Sequence, residues 1–230
     1  MNDFNPQIIA ALQNPQDHNL TSYAVGMIGD ICRSINEQAL PYCRDYMTYL
    51  VENLKSPVLD RQVKPSIIST FGDIAFAAGG EFESLLEPVM QIIEQAMQMT
   101  VLPPNQTRTY ADIDYVNSLR EGILEAYVGI TQGLNSGQKV HLLSNYVERM
   151  FLFMESVEND EEHTESAVMS MAGLIGDISD SFPERHLQAI YSKPWVDKLL
   201  KELKLPYYRT KNYDLTRWVR SRVKRQIGNI

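Results

Sequence analysis

Ala24-Val-Gly-Met-Ile-Gly-Asp-Ile31 is the stretch that decides the fold, because the chain repeats it. It returns as Ile67-Ile-Ser-Thr-Phe-Gly-Asp-Ile74, blurs into Ile123-Leu-Glu-Ala-Tyr-Val-Gly-Ile130, and returns again as Met171-Ala-Gly-Leu-Ile-Gly-Asp-Ile178. Its sixth position falls at 29, 72, 128 and 176, so the spacings are 43, 56 and 48 residues. A self-similar helical unit of that length is the signature of a two-helix repeat array of the HEAT or armadillo type, in which stacked neighbours bury a shared core. Such arrays are binding surfaces more often than catalytic pockets.

Working outward, helical periodicity dominates and strand-like alternation is absent. Five antiparallel pairs are expected: 3–14 with 19–36, 39–54 with 61–78, 81–99 with 113–134, 140–157 with 163–182, and 184–203 with 213–227. Ser56-Pro57 breaks the second pair, and Asp60 is placed to cap its inner helix. Gly79-Gly80 ends a helix, and Pro194 is expected to break the fifth outer helix. Leu102 to Thr109 is a polar, proline-containing loop that accounts for the 56-residue spacing. The expectation is an all-α HEAT-repeat solenoid of about five repeats, a single array over residues 1–230. Phe4, Ile8, Ile9 and Leu12 look like an interface continuing into missing repeats, which marks the chain as a fragment of a longer array.

The repeated phrase lies on the inner helix of each pair. Val168, Met171, Ile175 and Ile178 share one face, and Ser166, Ser170, Gly173 and Asp177 share the opposite one. Equivalent positions hold Tyr23, Gly26 and Asp30, then Ser66, Ser69 and Asp73, then Gly122, Glu125 and Gly129. This second face is small or acidic. Two readings stand: close packing of neighbouring helices, or the floor of a shallow groove that lets a ligand helix approach acidic groups.

The 230 residues carry a net charge of −8. Seven basic residues and one acid lie in 209–230, so that segment is +6 and the body is −14. An acidic body attracts basic partners and repels nucleic acid. The basic end is read as a solvated final helix, with contact to RNA or a membrane as the weaker alternative. No apolar run approaches the roughly 20 residues that span a bilayer. Cys32 and Cys43 make no disulfide framework and are read as buried, reduced thiols. No phosphate-binding loop or nucleophile–base pairing is present, so an enzyme is not expected, nor is a cofactor.

Several phrases resemble the importin-β family. They are Ala24 to Arg33, Val63 to Ala75 with Gly79-Gly-Glu-Phe82, Leu119 to Tyr127, Ile130-Thr-Gln-Gly-Leu134, Asp160-Glu-Glu-His-Thr164 and Ala172 to Asp177. They occur in matching order over nearly the whole chain, most weakly at 100–112 and 183–212. The resemblance implies the C-terminal repeats of a nuclear import receptor, active between cytoplasm and nucleus at the nuclear pore. It implies binding of the basic importin-β-binding segment of importin-α, or of basic cargo, and of nucleoporin phenylalanine-glycine repeats. Ran-GTP would be met mainly through repeats absent here. The alternative is a HEAT scaffold that joins proteins without transporting cargo.

Asp114, Ser118, Glu121 and Glu125 are spaced four, three and four residues apart, which puts three carboxylates on one helix face. They are candidate contacts for basic cargo or importin-α, against the plainer reading of a solvated face. Asp160, Glu161 and Glu162 open the next inner helix, where the helix dipole alone explains acids; an acidic rim is the functional reading. Asp177 joins them. Trp218 either covers the terminal core or stacks on a ligand's Arg or Lys. Trp195 is read as packing its outer helix. Phe82 and Leu86 are named for nucleoporin contact, although both also suit the core. His163 stands beside Glu162 and Glu165, but no second ligand cluster is in view and a metal is not expected.

Overall fold

The computed structural model describes residues 4–101, 109–206, 208 and 213–228. The described residues form helices, turns and bends, with no strand. Their contacts divide the chain into two compact units, Met1–Gly137 and Gln138–Ile230.

The first unit contains α1 (Asn5–Leu12), α2 (His18–Ile35), α3 (Leu40–Lys55), α4 (Lys64–Ala78), α5 (Glu83–Met99) and α6 (Tyr110–Ser136). α1 packs on α2, α3 on α4, and α5 on α6. α2 also packs on α4, and α4 on α6, so these three form a continuous inner layer. The expected pairs are therefore present, with short 3-10 turns at their joints. Asp60 caps the turn Arg61–Val63, its carboxylate accepting the Gln62 amide at 2.9 Å. Gly79 closes α4 at φ 54°, a left-handed conformation that a Cβ would disfavour. α6 begins earlier than expected because the Thr109 hydroxyl caps it, accepting the Asp112 amide at 3.2 Å. The expected loop at 102–108 lies outside the described residues.

Tyr46, Phe71, Phe82 and Tyr127 are the largest side chains buried in this unit. Each such side chain contributes on the order of 2–3 kcal/mol of burial free energy. The inner layer adds an unusually close fit. Gly129 lies against the backbone of Gly72, Gly122 against Pro65, and Gly133 against Ala75. At each of these glycines a Cβ would run into main-chain atoms of α4. The close-packing reading of these small residues therefore holds for the pair α4 and α6.

The second unit contains α7 (Val147–Glu158), α8 (Glu165–Ser181), α9 (Gln188–Tyr191), α10 (Pro194–Glu202) and α11 (Tyr213–Ile227). α7 packs on α8 and α10, and α11 packs on α8 and α9. The helix expected from 140 instead starts with a 3-10 segment, Val140–Asn145, before α7 proper. Pro194 does break the outer element, since it opens α10. Val168, Met171, Ile175 and Ile178 have no exposed surface, as the periodicity requires. Trp195 is buried edge-on to Phe151, with ring centroids 5.7 Å apart. The basic terminal helix is not simply solvated: Val219, Val223 and Gln226 are buried. Arg222 reaches Asp180 at 2.7 Å, and Arg225 lies 3.3 Å from the same carboxylate.

Candidate functional site

The accessible face of the inner layer in the first unit is built by periodicity. On α2, Tyr23, Gly26, Met27, Asp30 and Arg33 are exposed. On α4, Ser66 and Phe76 are exposed, and Ser69 and Asp73 are half-buried on the same side. On α6, Asp114, Ser118 and Glu125 are exposed and Glu121 is half-buried. The predicted stripe is thus a real surface feature, with all three of its carboxylates within reach of solvent.

The three helices are tied by polar contacts. Arg33 donates to Asp30 at 2.9 Å on its own helix and to Asp73 on α4. The Ser69 hydroxyl donates to Glu125 Oε2 at 2.6 Å, linking α4 to α6. Arg61 reaches Asp112 at 3.3 Å and lies over the Tyr115 ring at 5.0 Å. Burial raises the Asp73 carboxyl above its ordinary 3.8, Arg33 opposes the rise, and the charges of Glu125 and Asp30 add to it. The last two contributions record crowding of negative charge, which a bound cation would relieve.

The remaining predicted residues fall in other places. Asp160, Glu161 and Glu162 do not begin α8; they form the turn before it. Asp160 Oδ1 accepts the Glu162 amide at 3.0 Å, and Thr164 supplies the helix cap by accepting the Ala167 amide at 3.1 Å. A threonine cap leaves the acids in a turn, where Glu161 and Glu162 are exposed. Asp177 is half-buried on α8. Trp218 is half-buried, its ring lying against Gly176 of α8, with Arg222 of its own helix 5.9 Å from the ring centre. Terminal-core packing therefore accounts for the ring's inner part.

Phe82 and Leu86, named for nucleoporin contact, sit inside the core: Phe82 has no exposed surface and Leu86 only 5%. Both are on the side of their segment that meets the unit's interior, so neither forms the wall of an open cleft.

Sequence reasoning passed over Phe76, exposed on the accessible side of α4, and Arg33, the cation within the acidic layer. Phe76 follows Asp73 by three residues and Ser69 by seven, so helical spacing held the signal. The Arg33–Asp73 contact crosses 40 residues and left no local trace. His163 has a partner distant in sequence as well: its Nε2 stands 3.5 Å from Glu202 Oε1.

No helix among the described residues is long and apolar enough to cross a membrane. The surface described above offers carboxylates, hydroxyls and a few exposed apolar side chains.

Known proteins share this fold. The profile of the family described as "Importin subunit beta-1-like, TPR repeats" matches residues 1–204. Importin subunit beta-1 of Schizosaccharomyces pombe is 43% identical over 223 residues, which make up 97% of this chain and 26% of that protein. A crystal structure of importin beta in an ammonium sulfate condition matches with a TM-score of 0.92 at 36% identity, over 100% of this chain and 26% of that one. The Kap95:Nup1 complex matches with a TM-score of 0.88 at 31% identity, over 99% of this chain and 26% of that one. The chain therefore spans about a quarter of the length of these relatives. The structural neighbours are HEAT solenoids, and the fold class here is the same.

Proposed function

The chain belongs to the importin-β family, and from that premise we propose that it is the part of a nuclear transport receptor that holds a basic helical segment against its inner helices. The segment is the importin-β-binding region of importin-α or an equivalent stretch of basic cargo. The observation that carries this reading is the in-register acidic face of α2, α4 and α6, with Asp30, Asp73, Glu121, Glu125 and Asp114 on one accessible side.

A basic amphipathic helix presents Arg and Lys on several sides. Each partly exposed pair with a carboxylate contributes roughly 0–1 kcal/mol, so affinity must come from several at once. Tyr23, Met27 and Phe76 add exposed apolar and aromatic surface to the same face. Such groups suit the aliphatic stems and cationic heads of long basic side chains. The acidic turn Asp160–Glu162, Asp177 and the outer part of the Trp218 ring are further candidate contacts on the second unit.

Contact with nucleoporin repeats belongs to the same proposal, supported by the similarity to Kap95, which is known in complex with Nup1. The core positions of Phe82 and Leu86 direct the search for that contact to other residues. Ran-GTP would engage mainly repeats outside this chain, and the receptor would shuttle between cytoplasm and nucleus through the pore. A scaffold that joins proteins without cargo is the competing outcome.

Calorimetric titration with a peptide of the importin-α basic segment, at low and at moderate salt, tests the reading. Binding that weakens steeply with salt is expected, since exposed pairs are screened. Absence of binding under both conditions would overturn the proposal for this chain and favour the scaffold.

A further inference from the structure

The second unit brings together three side chains that the acidic-face reading does not use. Glu158 is the last residue of α7, His163 lies in the turn before α8, and Glu202 is the last residue of α10. One ligand-type atom from each lies within 4.8 Å of the other two. The separations in sequence are 5 and 39 residues, so the fold and not the local sequence assembles the group.

Glu158 is the unusual member. Its side chain has no exposed surface, and neither carboxylate oxygen accepts a hydrogen bond. The Lys198 ammonium forms an ion pair with Oε1 at 3.3 Å and also donates to the Glu158 carbonyl oxygen at 2.6 Å. Lys198 answers part of the charge, but Oε2 is left buried without a donor, and an unmet buried carboxylate oxygen is costly.

His163 has the posture of a metal ligand. Its Nδ1 is 2.6 Å from the Asp160 carbonyl oxygen, a contact that makes Nδ1 the protonated nitrogen and leaves the Nε2 lone pair for another partner. Metal-bound histidines are oriented by such an outer hydrogen bond. Nε2 lies 3.5 Å from Glu202 Oε1. Bonds of about 2.0–2.2 Å to nitrogen and oxygen at a tetrahedral centre place neighbouring ligand atoms roughly 3.3–3.6 Å apart. Glu202 is itself steadied by the Tyr208 hydroxyl, 3.2 Å from Oε1. The His163 and Glu202 side chains are 16% and 21% exposed, which leaves an entry path to the buried Glu158.

We propose that Glu158, His163 and Glu202 form a zinc(II) site, with water completing the tetrahedron, that pins the acidic turn 160–162 between the ends of α7 and α10. One imidazole and two carboxylates suit zinc by ligand type. The ion would neutralise the buried Glu158 and fix the turn that carries Asp160, Glu161 and Glu162. This site is independent of the acidic face on the first unit.

The test uses the whole chain, stripped with a chelator and dialysed. Zinc is titrated by calorimetry, and the thermal midpoint is followed by circular dichroism with and without zinc. One zinc per chain and a raised midpoint are expected. His163→Gln and Glu202→Gln, both half-buried at a turn and a helix end, should each weaken zinc at least about tenfold while keeping the helical spectrum. Cobalt(II) substituted for zinc should show no thiolate charge-transfer band, which excludes Cys32 and Cys43 as ligands. The proposal is overturned by failure to bind one equivalent, by zinc affinity unchanged in both variants, or by a thiolate band. It is also overturned if His163→Gln lowers the midpoint equally with and without zinc, since the histidine would then act only as an ion-pair partner.

Discussion

The same phrase is used in two ways. In α4, Gly72 meets the backbone of α6 at Glu125 and Ala126, and the acid after it, Asp73, lies on an accessible face with Glu125 and Asp30 nearby. In α8, Gly176 meets the ring of Trp218, the acid after it, Asp177, is half-buried, and Asp180, three residues further on, is reached by both Arg222 and Arg225. The first arrangement gathers Asp30, Asp73 and Glu125 around a single arginine, Arg33. The second gives one carboxylate, Asp180, two arginines. A repeated sequence therefore places a glycine at the packing surface of each helix, while the neighbour that meets it differs, main chain at Gly72 and a tryptophan ring at Gly176.

The packing half of that contrast can be broken most directly at Gly129. A methyl there would strike the Gly72 backbone, which cannot move without shifting α4. Gly129→Ala should cost about 3 kcal/mol in urea unfolding, at the upper end of overpacking penalties. Gly176→Ala meets the far edge of the Trp218 ring, which can swing aside. Its cost should be about 1 kcal/mol, at the lower end of the same range. Equal costs would erase the distinction between a backbone neighbour and a side-chain neighbour.

Smaller effects sharpen it. Gly26 and Gly173 occupy the third position of the phrase, and a methyl added at either would meet nothing within 4 Å. Alanine at either should raise stability by up to about 1 kcal/mol through helix propensity alone. A loss at either site, measured in the same unfolding experiment, would show that the third position is not open.

The smallest effect is electrostatic. The folded Asp73 holds its proton more tightly than the unfolded chain does, because its pKa is raised above 3.8 by burial first and then by neighbouring acids. Its ionised form therefore costs stability at neutral pH, and that cost is recovered as pH falls through the raised value toward 3.8. Relative to Asp73→Asn, the natural chain should gain stability over that fall. Thermal midpoints of the two chains from neutral pH downward would check it, and parallel curves would contradict it.

Much of this was legible beforehand. The recurring Gly-Asp phrase, the buried face of Val168, Met171, Ile175 and Ile178, and the stripe of Asp114, Glu121 and Glu125 all follow from helical spacing, which is a local property. What escaped was either short-range detail or long-range pairing. Periodicity does not separate a 3-10 segment from the start of an α-helix, so Val140–Asn145 was expected to be part of α7. Thr164 capped α8 after the acids that were expected to open it. His163 meets Glu202 across 39 residues, and Arg33 meets Asp73 across 40. Spacing leaves Trp218 two readings, and its ring lies against Gly176.

The most direct measurement compares peptide affinity for two altered chains at one moderate salt concentration. Glu121→Gln with Glu125→Gln removes two carboxylates of the accessible face, and Asp180→Asn removes one already held by two arginines. The first change should weaken a basic importin-α peptide about tenfold, the sum of two modest pairs. The second should leave its affinity within about twofold, because the carboxylate it removes is already answered inside the unit. Equal losses, or a larger loss with Asp180→Asn, would contradict the assignment of the binding face to α2, α4 and α6.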